Sequence, residues 1–183
     1  MFMKQTPLLI FLCVVFFSCN TEAKKDDVKT DSTASKEALV YPFTPKYSNN
    51  WQPGDEKNAV IALTAFKKYL DGDVKGCFDA FADSIAFIAD KFYYNGKKDS
   101  LLAMMIPMRA ALTSASAEVD AWETVYYPDK KDTWVTVWNK EKFTDKKGKT
   151  DSVYLVDDIL MRDGKIDAIM ESQRLYPGPP KKK

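Results

Sequence analysis

Histidine does not occur anywhere in this chain of 183 residues. Its absence removes the most common general base, the Ser–His and Cys–His nucleophile pairs and the histidine-containing zinc sites. Carboxyl groups are then the best remaining candidates for acid–base chemistry. A carboxyl group exchanges protons near neutral pH when burial among apolar groups raises its pKa. The Asp and Glu residues that matter are therefore those within apolar segments.

Asp157 is the best candidate of this kind, because it lies in the apolar segment Asp151–Met161 (DSVYLVDDILM). Both alternating sets of residues in this predicted strand are mainly apolar, so either Asp157 or its neighbour Asp158 must lie among hydrophobic side chains. The functional interpretation is that Asp157 is a pocket carboxylate that could act as a base. The simpler alternative is a hydrogen-bonded structural Asp, or one at a solvated edge.

Three further residues are weaker candidates for a functional site. Glu171 follows Asp167 and Ile169 on the more polar face of the last predicted strand, so we expect it to point outward or into an interface rather than into a pocket. Arg109 could pair with a carboxylate or an anionic ligand, although a surface arginine is the default. Cys77 lies on an apolar helix face and is most simply a core residue.

Aromatic residues could supply the walls of a binding cavity. Tyr93, Trp122 and Trp138 are the ligand-binding candidates, together with Tyr94 and Trp134. Large aromatic side chains are also the usual material of cores and interfaces. Residue type alone therefore does not separate these roles.

The N-terminus resembles a bacterial lipoprotein signal. Lys4 supplies a positive charge, and Leu8–Phe17 is an apolar stretch too short to span a bilayer as a helix. Ser18, a small residue, then precedes Cys19. The resemblance implies removal of residues 1–18 and lipidation of Cys19, whereas the alternative is an ordinary signal peptide followed by a chance cysteine.

The segment after Cys19 is polar and nearly free of large apolar residues, so we predict a flexible tether over 20–38. Its cluster Lys24–Asp27 is similar to charged tags that direct lipoproteins to the outer face of the outer membrane, or is merely a solvated linker. We therefore expect the protein to be anchored in the cell envelope at the outer membrane, where it can be exposed on the cell surface. The predicted organisation is a signal peptide (1–18), an anchor cysteine with tether and extended arm (19–54), one domain (55–175) and a disordered tail (176–183).

Helical periodicity and capping residues predict three helices in the first half of the domain. Asp55 should cap the first, Gly72 should end it, and Asp73 should cap a short second helix. Asp99 or Ser100 should cap the third, which Pro107 should kink or loosen. The expected core face of the first helix consists of Val60, Leu63, Phe66 and Leu70.

The rest of the domain reads as strands. Ser84–Asp90 alternates like a strand, and Asn95-Gly96 is a strong two-residue hairpin signal. Four strands joined by short turns then predict an antiparallel meander: Glu118–Tyr127, Thr133–Phe143, Asp151–Met161 and Lys165–Arg174. This order of elements predicts an α+β fold with the helices on one face of the sheet.

Three short motifs in this order resemble the SnoaL-like branch of the nuclear transport factor two-like (NTF2-like) superfamily. They are YLDGD (Tyr69–Asp73) leading to FADSIAFI (Phe81–Ile88), WVTVW (Trp134–Trp138) and RDGKI (Arg162–Ile166). The resemblance implies a cone-like curved antiparallel sheet wrapped around three N-terminal helices, with a cavity inside. It also implies that the position of Asp157, shortly before the last turn, is a pocket position and that homodimers through the sheet are common.

Charge and pattern narrow the choice of partners. The net charge is +1, and removal of Lys4 with the leader leaves +1 − 1 = 0, which argues against nucleic acid. The leading hypothesis is a lipoprotein whose apolar cavity binds a small, partly hydrophobic ligand, without metal or cofactor. The alternatives are a cofactor-free isomerase, dehydratase or cyclase using Asp157 as base, and a dimeric protein-interaction subunit. The apolar second face of the sheet should be covered by a second copy or by the aromatic arm 39–54, and we predict a homodimer.

Overall fold

The computed structural model describes residues 40–175. The lipidation candidate Cys19, the leader and the tether, together with the C-terminal tail, lie outside the described residues. Within residues 40–175, three helices and seven strands follow one another: β1 (Gln52–Pro53), α1 (Lys57–Asp71), α2 (Val74–Phe78), β2 (Phe81–Ala89), β3 (Phe92–Lys97), α3 (Lys98–Ala110), β4 (Leu112–Tyr127), β5 (Asp132–Asp145), β6 (Thr150–Arg162) and β7 (Lys165–Arg174).

All seven strands form one curled, open sheet in the order β1-β4-β5-β6-β7-β2-β3. Strands β4 to β7 are an antiparallel meander, which confirms the predicted α+β class and the predicted arrangement of the C-terminal third. The last turn has positive φ at Asp163 and Gly164, as a tight hairpin turn requires. β2 joins β7 in parallel and brings the N-terminal half of the domain onto the sheet.

The helix-capping signals of the first half are largely confirmed. Gly72 ends α1 in the left-handed conformation with φ 90°, and the Asp73 side chain caps α2 by accepting a hydrogen bond from the Gly76 N–H. The predicted cap at Asp55 is wrong by one residue: the N-cap of α1 is Glu56, which makes no side-chain capping bond, while the Asp55 carboxylate accepts from the Lys57 N–H. The start of α3 differs, because Lys97 is its N-cap and makes no side-chain capping bond.

The core face of α1 consists of smaller side chains than the sequence predicted. Its buried residues are Ala59, Ala62, Ala65 and Leu70, whereas Val60, placed in the core by the periodicity argument, is 64% exposed. Alanines allow the helix backbone to approach the sheet closely. The larger apolar residues at the flank of this stripe, Leu63 and Phe66, line a cavity instead.

The Asn95-Gly96 pair does not form the predicted hairpin turn. Both residues lie inside β3 and pair with Ala86 and Ile85, while the chain turns earlier, at residues 90–91. A side-chain Cβ at Gly96 would lie 2.9 Å from the Tyr94 hydroxyl oxygen. The glycine therefore accommodates a ring packed over the strand, which is a common reason for glycine within a sheet.

One irregularity in β7 decides which side chains face inward. Leu160 pairs with Ala168, but Met161 pairs with Ile166, so Asp167 is an additional residue in the strand. Such a bulge reverses the alternation of side chains that follows it. As a consequence, Ile166 faces inward. After the bulge, the inward-facing residues are Ile169 and every second residue that follows it.

The outer face of the sheet is covered in part by the arm. The Tyr47 ring lies 4.6 Å from that of Tyr127 and 6.2 Å from that of Trp134, between ring centroids, and its hydroxyl donates to Asp132. This contact agrees with the expected packing of the aromatic arm. No helix within residues 40–175 is both long and apolar enough to cross a membrane.

Candidate functional site

A cavity of about 270 Å³ lies between the three helices and the inner face of the curled sheet. Most of its wall is aliphatic or aromatic. Phe78 and Phe81 stack with ring centroids 4.5 Å apart, and Phe87 meets Phe92 edge to face at 5.4 Å. Met108 lines the cavity and is also 52% exposed, so the interior reaches solvent beside α3.

Three carboxyl groups form the polar part of this apolar wall. Glu141, Asp157 and Glu171 come from the adjacent strands β5, β6 and β7. Asp157 and Glu171 are directly paired across β6 and β7, so their side chains are neighbours on the inner face. The meander therefore gathers acidic residues that are widely separated in sequence.

Asn139 makes a side-chain hydrogen bond to this cluster. Its side chain is buried, with 1% exposure, and its amide N–H donates to the Asp157 carboxylate over 2.7 Å. The amide oxygen of Asn139 is also buried and has no hydrogen-bond partner among the described residues. A buried acceptor without a partner is uncommon in folded proteins and calls for an explanation.

The environment of the carboxyl groups favours their protonated forms. Burial, followed by the negative charge of Glu171, raises the pKa of Asp157 to about 7, against a smaller lowering effect of the Asn139 hydrogen bond. Burial and the charges of Asp157 and Glu171 raise the pKa of Glu141 to about 7. Burial also raises the pKa of Glu171, with a contribution from Asp90. The cavity therefore holds groups that can gain and lose protons near neutral pH.

Two other titratable groups line the cavity, Tyr69 and Cys77. Burial raises the pKa of the Tyr69 hydroxyl. Burial and the charge of Asp73 raise the pKa of the Cys77 thiol to about 12, which leaves it protonated and poorly nucleophilic. This agrees with the interpretation of Cys77 as a core residue.

Arg109 is not in the cavity wall and serves a structural purpose. Its guanidinium donates from Nε to the Tyr69 carbonyl oxygen over 2.9 Å and from Nη2 to that of Leu70 over 2.7 Å. A cation at this point satisfies carbonyl groups at the end of α1 and complements the helix dipole. Arg109 is therefore engaged with the end of α1 and is not placed to bind a ligand in the cavity.

None of the five aromatic candidates lies in the cavity wall. Tyr93 is 71% exposed, and Trp122 is 50% exposed with its indole N–H directed to Glu56. Trp138 lies on β5 between Val137 and Asn139, which face inward, so its ring is on the outer face. Phenylalanines and Tyr69 line the interior instead.

The expectation that Glu171 faces outward is wrong, and the bulge at Asp167 is the reason. Strict alternation from Ile166 would place Glu171 on the opposite face, but the additional residue turns it inward. Glu141 and Asn139 are not among the candidates predicted from the sequence. They share the alternation of Val135 and Val137 on β5, so the same pattern argument could have found them.

Within residues 40–175, no group of three or more Cys, Asp or Glu side chains converges closely enough to hold a metal ion. The three carboxyl groups are therefore arranged along the wall rather than around one point. Their arrangement suits proton exchange or contact with an organic ligand.

Comparison with known proteins identifies the fold. No protein-family model and no curated protein matches the chain. A putative dehydratase of the NTF2-like family from Streptomyces avermitilis matches with a TM-score of 0.56 and 16% identity, over 67% of this chain and 98% of the other. A ketosteroid isomerase-like protein from Erwinia carotovora atroseptica gives 0.54 and 13%, over 68% and 100% of the two chains. An LEH-like epoxide hydrolase from M. tuberculosis gives 0.52 and 13%, over 64% and 83%. On these likenesses, the chain has the NTF2-like cone fold.

Proposed function

We propose that this chain binds a small, partly hydrophobic ligand in the cavity between its helices and its sheet. The observation that carries the proposal is an apolar cavity of about 270 Å³ with a polar wall segment formed by Asp157 and its neighbours. Small-molecule sites are typically concave, mostly apolar and equipped with a few convergent polar groups. The volume is close to the lower end of the usual range, about 300–1,000 Å³, so the ligand is small.

The cavity also separates this proposal from one of its rivals. A protein-interaction subunit with the same fold would be expected to have a filled interior and to use only its sheet face. The fold relatives include proteins named as a putative dehydratase and an epoxide hydrolase, both of which imply small substrates for those proteins. These points support an internal ligand site.

Filling the cavity is expected to abolish binding without unfolding the protein. Met105 lines the cavity on α3, whereas Met104 next to it is 42% exposed. A Met105→Trp substitution should lower affinity for a bound hydrophobic dye by about tenfold or more, because the indole occupies the ligand volume. Fluorescence titration measures the effect, and Met104→Trp is the matched control. Equal affinity in both variants would place the ligand elsewhere.

An enzymatic role for Asp157 is the second candidate function. The observation in its favour is that Asp157 lines the cavity beside Glu171 and has a pKa of about 7, as a general base working at neutral pH requires. The chemistry would be abstraction of a proton from a carbon next to a carbonyl group.

That role has a direct test. A phenyl-substituted ketone dissolved in D₂O should exchange its α-hydrogens faster with the wild-type protein than with buffer, as followed by proton NMR. Asp157→Asn should reduce this excess rate by about 10²-fold or more. Exchange that is equal in both proteins, or absent at any pH from 6 to 9, would leave the binding role alone.

We propose further that Cys19 carries a lipid anchor and that the domain works in the cell envelope, at the outer membrane. The sequence pattern around Cys19 supports this. Loss of membrane association in the Cys19→Ala variant tests the lipid anchor.

We also propose a homodimer through the outer sheet face, because Met170 on that face is 41% exposed and Trp138 is only half-buried. The mass of the domain in solution, measured by light scattering, tests the homodimer.

A further inference from the structure

The polar groups of the cavity are unbalanced in favour of hydrogen-bond acceptors. Three carboxyl groups line it, and among the described residues of its wall there is no Lys or Arg. Glu141 and Glu171 accept no hydrogen bond and form no ion pair within the described part of the chain. When ionised, these groups can only accept hydrogen bonds. The donors that would satisfy them must therefore come from water or from a ligand.

Asn139, which does not itself line the cavity, adds one more acceptor, unpaired among the described residues, next to this cluster. Its amide N–H is bound to Asp157, while its amide oxygen, equally buried, has no partner. Asn139 lies between the cavity-lining residues Val137 and Glu141 on the inner face of β5. The acceptor excess thus extends from the three carboxylates to a neutral group whose oxygen cannot be relieved by protonation.

We propose that the ligand carries a protonated amine, so that the cavity is a site for small alkyl- or arylammonium compounds. This inference rests on the ligand-binding function proposed above and names the chemical class of the ligand. The ammonium group contacts the paired carboxylates of Asp157 and Glu171, and the apolar part lies against Phe78 and Phe81. Glu141 adds to the negative field from the neighbouring strand.

Physical chemistry favours a cation over the other classes of ligand. An ammonium ion supplies up to three donors and relieves the mutual repulsion of Asp157 and Glu171, and charge-assisted hydrogen bonds are about twice as strong as neutral ones. An anion would meet like charge in a poorly hydrated space, where repulsion is large. A metal ion lacks the convergent ligands it needs within residues 40–175. Only an organic cation uses both the acidic segment and the aromatic wall.

Other titratable groups around this segment do not oppose the arrangement. Tyr69 from α1 and Cys77 from α2 stay neutral, because burial raises the pKa of each. Asp90, after β2, acts on Glu171, and Asp158, on the outer face of β6, acts on Asp157. Both contribute further negative charge. Positive charge reaches only Tyr69, from Arg109, and Cys77, from Lys68, among these groups. The charges that act on the three carboxyl groups themselves are all negative.

The test compares three probes of nearly equal shape: 3-phenylpropylamine, 3-phenylpropan-1-ol and 3-phenylpropanoate. Isothermal titration calorimetry at pH 8 should show the amine binding about tenfold or more tighter than the alcohol, and the carboxylate binding weakest. Lowering the pH to 5.5 should weaken amine binding by about the same factor, because Asp157 and Glu141 take up protons near pH 7 while the amine stays charged. Alcohol binding should change much less.

Variants connect the preference to the site. Glu171→Gln should reduce the ratio of amine to alcohol affinity at pH 8 by about fivefold or more while leaving alcohol binding nearly unchanged. Glu118→Gln, an exposed glutamate on β4, is the matched control and should keep the ratio. Circular dichroism of each variant verifies the fold.

The outcomes distinguish this inference from the function on which it rests. Affinities of amine and alcohol within about threefold, or tighter binding of the carboxylate, would overturn the amine proposal and leave the ligand-binding function standing. Failure of all three probes to bind at millimolar concentration would count against both. An amine preference that survives Glu171→Gln would place the ammonium away from the paired carboxylates and overturn the assignment.

Discussion

At pH 8 the Asp157→Asn protein is expected to be more stable than the wild type, by about 2–3 kcal/mol in free energy of unfolding. The Asp157 carboxyl group has a folded-state pKa of about 7, against an ordinary value of 3.8 for aspartate. Ionising it inside the cavity costs free energy that the unfolded chain does not bear. A neutral amide removes this cost and can still accept the hydrogen bond from Asn139.

The sign of the pH dependence follows from the direction of the pKa shift. Between about pH 4 and pH 7 the folded wild-type protein holds the Asp157 proton and the unfolded chain has lost it. The stabilisation is therefore fully present below the unfolded pKa and is lost as pH rises through the folded pKa, at about 1.4 kcal/mol per pH unit. A shift of this size gives about 4 kcal/mol as an upper bound, which partial solvent access reduces.

Urea unfolding at pH 4, 6 and 8 measures this effect. Wild type and Asp157→Asn should differ little at pH 4 and diverge toward pH 8. Asp158→Asn is the matched control, because it makes the same change at the next residue, on the outer face, where the carboxylate accepts from the Thr136 hydroxyl over 2.7 Å. If Asp157→Asn has the same pH profile as the wild type, the Asp157 carboxyl group is ionised throughout and is not buried as described.

Leu101→Ala is expected to lower the free energy of unfolding by about 2–5 kcal/mol. Leu101 is 1% exposed and is the fully buried residue of α3, whose other apolar side chains are partly buried or exposed. Truncating it removes buried methyl groups and enlarges a space that already adjoins the cavity. The helix loses its main anchor against the core, so ligand affinity should fall as well.

Ile106→Ala is the control for this change, since Ile106 lies on the same helix and is 38% exposed. Its effect on stability should stay below about 1 kcal/mol. Unfolding is best followed at pH 6 by urea denaturation with tryptophan fluorescence. A loss below about 1 kcal/mol for Leu101→Ala would mean that contacts elsewhere hold α3 in place.

The sequence predicted the fold well where short-range signals and long-range packing agree. Gly72, Asp73 and the Asp163-Gly164 turn each have one local conformation that suits their chemistry. Alternation located the four meander strands but not all their lengths, since β4 begins at Leu112 rather than at Glu118. The Asn95-Gly96 signal failed because the packing of the Tyr94 ring, which is a tertiary contact, decided where glycine was needed. Local preference loses when a packed side chain competes with it.

The candidate site was predicted in part. Asp157 was placed in an apolar strand by its neighbours, and the structure puts it in the cavity wall. Glu171 was assigned to the wrong face, because a bulge at Asp167 has no reliable signal in a single sequence. The aromatic candidates were chosen by residue type, which does not reveal on which face of the sheet a ring lies. Orientation requires the register between strands, and no single strand contains it.

The additional residue in β7 makes the chemistry of the interior depend on chain length as well as on residue type. Removing Ile169, or straightening the strand with its sequence intact, would turn the Glu171 carboxyl group outward and bring the Met170 thioether to the inner face. A change of one residue within this strand would thereby remove an acidic side chain from the cavity wall. Every residue of the helices would remain as it was.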